Sequence, residues 1–358
     1  MTGSVYTAIL TDARTGAIHG ELPVDGLDQT EVLDLPGTFS CGIPLDSGQI
    51  GINEETLKPW RSIIYLARDN SVLGAGAFVL GYTIDVRANT INLSCVGIGR
   101  YFYRRALKMD KVYSGVDQTT IVADLITYAQ AQSGGNLGVT TNLIQPTGRL
   151  RDRSWYGWER KYIGQLIQDL AAVQDGFHFR YRSRRDESLG RYVTDLTTTY
   201  PLTGRVTNAV LELGGNIEVL NVSVDGVDMC NSADVLGQGN ADQAPVGFAI
   251  DAAALDSTLL LETVDNASDA VELGTLNSKA QQRIITGSDP IVIPTVRIGA
   301  QLEPTIGTYY VGDRVRIRGK IGTVLNLDAD YLITQTKLVV STGAEYVDVS
   351  FAPVTAVA

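Results

Sequence analysis

The chain has 358 residues, 44% of them hydrophobic and 19% charged, with 29 Lys+Arg against 40 Asp+Glu and a formal net charge of −11. This is the composition of a folded protein, long enough at about 150 residues per domain for two or three domains, and its acidic total counts against chain-wide nucleic-acid binding. The longest apolar runs, such as residues 75–80, fall far short of the roughly 18 residues of a membrane span, and the first six residues show no basic region leading into an apolar stretch, so no signal peptide is expected.

The first third reads as all-β. Residues 5–10 form a short apolar run, broken by turn chemistry at Asp12-Ala-Arg-Thr-Gly16. Pro36-Gly37 and Pro44 oppose any helix in the next stretch. Residues 62–68 and 80–86 read as strands, with Asp69-Asn70 as the turn after the first. Ile91-Asn-Leu-Ser-Cys-Val96 alternates with period two, as a half-buried strand does. Closely spaced strands with turns between them point to an antiparallel barrel or sandwich.

The period then changes. Ile121, Val122, Leu125, Ile126 and Ala129 follow helical spacing, with Asp117 or Thr119 as N-cap and Ser133-Gly134-Gly135 as the stop. A second helix is expected over about 158–174, with Tyr162, Ile163, Leu166, Ile167, Leu170 and Ala171 on one face. Strands follow at 177–183 and 191–196, joined by a polar turn at 186–190. In the last third, residues 218–224 with Asp225-Gly226 read as the first arm of a hairpin. Residues 233–254, rich in Gly, Asp, Gln and Ala, read as a surface loop. Ser268 begins the acid-rich first turn of a helix carrying Leu273, Leu276, Ala280 and Ile284, and residues 309–318, 331–341 and 345–351 give three successive strands.

The expected fold is therefore mainly β with α+β insertions. Two β-barrel-like domains, 1–105 and 206–358, flank a helix-helix-hairpin α/β module at 106–205, and the last carries a helical insertion around 230–290. Charge follows the same division. Residues 1–99 carry 5 basic and 11 acidic side chains, residues 100–205 carry 16 and 10, and residues 206–358 carry 8 and 19. A basic middle segment is hidden inside an acidic protein.

Rare residues exclude much chemistry. Cys41, Cys95 and Cys230 are far apart, with no CxxC or CxH spacing, and read as buried free thiols in a reducing compartment. Any His-dependent nucleophile or metal centre would rest on His19, in a turn-rich stretch, or His178, on one face of a strand; for both, a structural role is the plainer reading. Gly74-Ala-Gly76 and Gly97-Ile-Gly99 lack the third glycine of a dinucleotide fingerprint, and no phosphate-binding loop, HExxH or GxSxG occurs. A glycosidase would need only two carboxylates, yet none stands out. No cofactor or metal is expected.

Several stretches in order carry a resemblance. Ile91-Asn-Leu-Ser-Cys-Val-Gly-Ile-Gly is followed by Tyr101-Phe-Tyr-Arg-Arg105 and by Asp117-Gln-Thr-Thr-Ile-Val-Ala-Asp-Leu125. Arg151-Asp-Arg-Ser-Trp-Tyr156 then leads through Glu159-Arg-Lys to Asp175-Gly-Phe-His-Phe, and Gly307-Thr-Tyr-Tyr-Val-Gly-Asp-Arg-Val-Arg316 comes last. From about residue 5 to 353 the chain resembles the minor tail proteins of long-tailed actinobacterial phages, which in turn look like the baseplate hub proteins of phage tails. The resemblance implies a homotrimer whose two β-barrel domains per chain alternate around a pseudo-sixfold ring. That ring joins the sixfold tail tube to threefold tip components and lines the channel through which DNA leaves. Implied partners are the distal tail protein, the tape measure protein and tip or fibre proteins, with genomic DNA passing without specific binding. The implied location is the virion tail tip, after synthesis in the host cytoplasm. The chain would be a bare hub, since it ends soon after its last expected strand. The competing classes are a tail-associated cell-wall hydrolase acting through carboxylates and a receptor-binding tip protein.

Two clusters and two stripes are candidate contact surfaces. Arg100, Arg104, Arg105 and Lys108 interleave with Tyr101, Phe102 and Tyr103, a mixture that suits base stacking with phosphate pairing. Solvated arginines over buried rings is the plainer reading, and intersubunit contact the next. Arg149, Arg151 and Arg153 alternate beside Trp155 and Trp158, which would either anchor a protein interface or pack locally. Arg180, Arg182 and Arg184, and later Arg314, Arg316 and Arg318, line strand faces. A solvated face is the default for both stripes, and docking onto a neighbour's acidic face is the sharper alternative. Acidic excess lining a channel would keep DNA from sticking.

Overall fold

Alternating apolar and polar residues make the first third a run of antiparallel strands in the computed structural model, which describes residues 4–45, 52–173, 175–239, 244–267, 273–288, 290–341 and 344–354. These are β1 (Tyr6–Asp12), β2 (Ile18–Pro23), β3 (Asp25–Val32), β4 (Leu35–Pro44), β5 (Ser62–Arg68), β6 (Ser71–Asp85) and β7 (Thr90–Gly97). β7 buries Ile91, Leu93 and Cys95 and turns Asn92 and Ser94 outward. β4 fills the Pro36/Pro44 stretch, its prolines near the ends where a missing N–H is tolerated. A Cβ on Gly37 would stand 2.2 Å from the Thr30 carbonyl oxygen, so the hairpin of β3 and β4 closes only on glycine.

The middle segment contributes β8 (Lys111–Asp117), α1 (Gln118–Ala131), β9 (Val139–Thr140), β10 (Leu150–Trp155), α2 (Ile163–Ala171), β11 (His178–Asp186) and β12 (Arg191–Thr199). Asp117 caps α1, its Oδ1 accepting from the Thr119 amide at 2.9 Å. The expected second helix begins five residues late. Gly157–Glu159 make a single 3₁₀ turn, Arg160 adopts a left-handed φ of 53°, and Trp158 and Tyr162 are left exposed outside the helix. One apolar core runs from Ile63 and Phe78 through Phe102 to Leu125, Ile167 and Phe179, so the module shares its interior with the first strands.

The remainder supplies β13 (Arg205–Glu212), β14 (Ile217–Asp225), β15 (Ser232–Leu236), β16 (Val246–Ile250), β17 (Glu262–Asn266), α3 (Leu273–Gly287), β18 (Ile291–Gly299), β19 (Asp313–Ile321), β20 (Leu325–Ser341) and β21 (Ala344–Pro353). Thirteen strands share one sheet, ordered β14-β18-β21-β20-β3-β4-β7-β6-β5-β1-β2, with β19 on β20 and β13 on β19. β2 and β14 stand at opposite ends of this path, so among the described residues the mainly β fold has no closed barrel. β20 makes the join between the two ends of the chain. Its one side follows β21, while on the other its first half pairs with β19 and residues 335–340 pair with β3. At the same join Tyr6 donates its hydroxyl to Glu345 Oε1 at 2.6 Å, and Arg68 meets that carboxylate at 3.2 Å.

The chain divides into two compact units, Met1–Leu220 with Thr295–Ala358, and Asn221–Pro294. In the second, β15 pairs antiparallel with β16 and parallel with β17, and α3 packs Leu276, Ala280 and Ile284 against Ala233, Val235 and Ala249. Two expectations are corrected here. Residues 233–254 are not simply a surface loop, because small side chains at Ala233, Gly247 and Ala249 let the α3 backbone approach the sheet closely; a Cβ on Gly247 would stand 2.3 Å from the Leu276 carbonyl carbon. Nor does β14 open a hairpin with the strand that follows it, since β15 pairs only with β16 and β17 and β14 lies beside β18 in the strand order. The acid-rich first turn expected from Ser268 lies outside the described residues, as do Gln174 and the last four positions.

Candidate assembly surface

The arginines singled out in the sequence have different fates. Arg105 is turned inward, donating from Nη2 to the Ala129 carbonyl at 3.1 Å and lying 5.5 Å from the Tyr101 ring centroid. Arg104 is exposed and stands over the Trp60 ring at 5.8 Å. Arg151 is tied to its own module by Gln118 Oε1 and the Asp175 carbonyl, both at 3.0 Å. Trp155 is buried, edge-on to Tyr113. Trp158, three residues on, is exposed and stacks on Tyr156 with an interplanar angle of 14°. Among the described residues Arg153 bonds only the Asp152 carbonyl, its own neighbour in sequence, at 2.9 Å. Of the two tryptophans, the structure therefore leaves one available to a partner.

Arg314, Arg316 and Arg318 face the β20 acids across the β19–β20 ladder. Arg316 reaches Asp328 at 2.7 Å, Arg318 reaches Asp328 at 3.1 Å, and Arg314 lies 3.7 Å from Asp330. The two arginines beside Asp328 hold its carboxyl below the usual carboxylate range. This stripe is largely neutralised within the chain.

Of the other stripe, Arg182 and Arg184 remain exposed and Arg180 alone is drawn inward. Arg180 donates to the Val311 carbonyl at 2.8 Å, lies 3.4 Å from Asp313 Oδ1, and packs over the Tyr310 ring, with Arg182 over the same ring at 4.4 Å. Asp313 is fully buried and takes both prongs of Arg205, at 2.9 and 2.7 Å, together with the Tyr310 amide at 3.0 Å. Burial lowers the Arg180 pKa against the pull of Asp313, and burial raises the nearby Glu31 carboxyl despite Arg180 and the Ala75 amide. This clasp fastens β11 to the start of β19. Period-two spacing marked the arginines, but nothing local in the sequence marks Asp313 as their partner.

The two histidines differ in their surroundings. His178 is buried between Asp34 Oδ2 at 2.7 Å and the Leu202 carbonyl at 2.9 Å. His19 lies in β2, its Nε2 buried without a partner among the described residues. Among the described residues no group of three His, Cys, Asp or Glu is placed to hold a metal ion, and no helix is long and apolar enough to cross a membrane.

Known structures share this architecture over its whole length. The chain has the fold of prophage tail proteins. It is similar to the 43 kDa tail protein of prophage MuSo2 from Shewanella oneidensis, with a TM-score of 0.66 and 11% identity over 99% of this chain and 100% of the other. It is similar also to a tail protein from Neisseria meningitidis MC58, with a TM-score of 0.62 and 11% identity over 99% of each chain. A third likeness is to the E. coli c3393 protein, a type VI secretion component described as similar to the T4 tail proteins gp27 and gp5; there the TM-score is 0.52 at 11% identity, over 93% of this chain and 74% of the other. No protein-family model matches the chain, and no curated protein matches it in sequence.

Proposed function

We propose that this chain is a structural subunit of a phage tail, acting as the hub at the tail tip of a long, non-contractile tail. In this reading three copies form the ring that joins the sixfold tube to threefold tip components and surrounds the DNA exit channel. The observation that carries it is the end-to-end likeness to whole tail proteins. Two features support a structural rather than a catalytic part. His178 is buried and held by partners that fix it in place, and His19 is half-buried in β2. The strongest charge cluster, around Asp313, is consumed in joining elements rather than opened to a substrate.

The experiment is immunogold labelling and image reconstruction of intact virions that carry this chain. Three copies around the tail axis at the tip are the expected result. Labelling along the tube, or its absence from the virion, overturns the hub reading. Lysis of host cell walls by the purified chain overturns the non-catalytic part of it.

A further inference from the structure

Two surfaces expose apolar groups that nothing in their own unit covers, and their charges are opposite. The first lies on the basic middle module. Trp158 is 77% exposed and stacks on Tyr156; Val112, opposite Ser154 on the neighbouring strand, is 67% exposed. Met109 joins them, because its backbone passes against Gly157 so closely that a Cβ there would meet Met109 Cα at 2.8 Å. Arg160 and Lys108 border these groups, and among the described residues neither has a carboxylate within ion-pair distance, while the Asp110 and Glu159 carboxylates beside them accept the Gly157 and Tyr156 amides. Four exposed apolar side chains beside two cations that lack a carboxylate partner are costly on a free surface and typical of a contact.

The second lies on the unit Asn221–Pro294, whose sequence carries 11 acidic and 2 basic residues. α3 covers one face of its three-stranded sheet. On the other face β16 presents Val246, Phe248 and Ile250, with Phe248 53% exposed. Asp234 stands between Phe248 and Val264 in the cross-strand row, and Glu262 lies in the next row. The edge of β16 is already capped, since Asn277 Oδ1 accepts the Phe248 amide at 3.0 Å. The face, not the edge, is therefore the part open to a partner.

We propose that the acidic, apolar sheet face around Phe248 and Asp234 docks on the cationic aromatic patch around Trp158 of a second copy of this chain. Complementarity selects the occupant. Each surface has an apolar centre of similar kind, and the acids on one are matched by free cations on the other, which steers association and fixes register. The inference rests on the hub reading, because it needs copies side by side, and it names the contact that would join them.

The test uses the full chain with Trp158 replaced by the photo-cross-linker p-benzoylphenylalanine. Copies uniformly labelled with ¹⁵N carry the cross-linker and are mixed with unlabelled wild-type copies before irradiation. Heavy–light peptides joining position 158 to residues 232–266 are expected. Lys108→Glu with Arg160→Glu should lower their yield roughly tenfold or more, and Asp234→Arg with Glu262→Arg in the unlabelled copies should restore it. Cross-links confined to one chain, directed elsewhere, or absent overturn the contact. A threefold ring in virions whose position 158 cross-links outside 232–266 leaves the hub reading standing, whereas a chain missing from tail tips overturns the hub reading whatever the cross-links show.

Discussion

Asp34 locks His178 into place from the turn of the β3–β4 hairpin. Its Oδ2 lies 2.7 Å from His178 Nδ1 and its Oδ1 accepts the Phe179 amide at 2.6 Å, while the other ring nitrogen of His178 meets the Leu202 carbonyl at 2.9 Å. Asp34 does this from a left-handed φ of 61°, a conformation that Asn and Asp tolerate better than most residues. A carboxylate held at a tight turn thus couples the first β region to the α/β module.

Asp34→Ala is accordingly expected to cost about 2–4 kcal/mol, since it strands two buried donors at once. Asp34→Asn keeps the backbone conformation and the acceptor for Phe179, and should cost less than about 2 kcal/mol. Urea unfolding of the two variants checks this. Equal losses would show that the ring contact and the amide contact are not both at work.

The clasp at Asp313 is the larger liability. Its carboxylate is wholly buried and holds Arg205 by two hydrogen bonds with Arg180 beside it, so Asp313→Ala leaves cations facing an empty site. A loss of about 3–5 kcal/mol is expected. Arg205→Ala, whose partner keeps Arg180 and the Tyr310 amide, should cost less. Thermal unfolding of both variants reads the difference, and a milder effect of Asp313→Ala than of Arg205→Ala would contradict this account.

Asp117 sets an acid limit on the middle module. Burial alone would raise its carboxyl, but hydrogen bonds from the Thr119 hydroxyl and amide, the Gly148 amide and the Thr147 hydroxyl outweigh it, and the net shift is downward. A carboxyl depressed in the folded state adds stability that is fully present above its ordinary value of about 3.9 and is lost as the pH falls through the folded value. Wild-type stability should therefore fall as the pH drops below about 4. In Asp117→Asn that part of the slope should flatten, with stability at neutral pH lower by about 1–2 kcal/mol as the cap weakens. Denaturation midpoints from pH 2 to 7 provide the comparison.

Much of this architecture is written locally. The period-two run of β7, the apolar centre of β5, and the Asp117 cap ahead of Ile121, Val122 and Leu125 all emerge from patterns a few residues long. What escaped has a common physical cause. β15 and β16 look like loop because most of their buried positions are small, Ser232, Ala233, Gly247 and Ala249, which suits a close helix rather than hydrophobic patterning. The pairing of β20 with β3 joins segments some three hundred residues apart, and no local pattern encodes it. Asp34 and Asp313 are ordinary turn acids by sequence; only the fold brings them to His178 and to Arg180 and Arg205. Among the candidate contact residues, alternation correctly set the arginines on strand faces but could not say which face already had partners, and so Arg153 and Arg316 looked alike.

The three cysteines should be inert in the folded chain. All are buried, and burial pushes the Cys41 thiol up to about 12 and raises Cys95 and Cys230 as well. Only the thiolate is an effective nucleophile. Reaction with a chromogenic disulfide reagent at pH 8 should thus be slow in native protein and should reach three thiols per chain after unfolding. Rapid native reaction of any one thiol would place it outside the core.

Arg316 and Arg318 share Asp328 on an exposed sheet face, with Arg314 near Asp330 behind them. Exposed pairs of this kind contribute about 0–1 kcal/mol, because the charges are well hydrated and the side chains lose freedom in meeting. Arg316→Ala should therefore leave the unfolding midpoint nearly unchanged. Asp328→Ala is the more informative change. It frees two guanidinium groups at once and would turn a neutral stripe into a basic one. If the stripe merely faces solvent, Asp328→Ala should leave the sedimentation behaviour of the chain unchanged at physiological salt. If the acids serve to keep the stripe from binding acidic faces of other copies, the same substitution should drive association that is reversed by raising the ionic strength, as screening requires. The cis pairing seen across β19 and β20 favours the first outcome, and salt-reversible association would assign these aspartates a role in keeping copies apart.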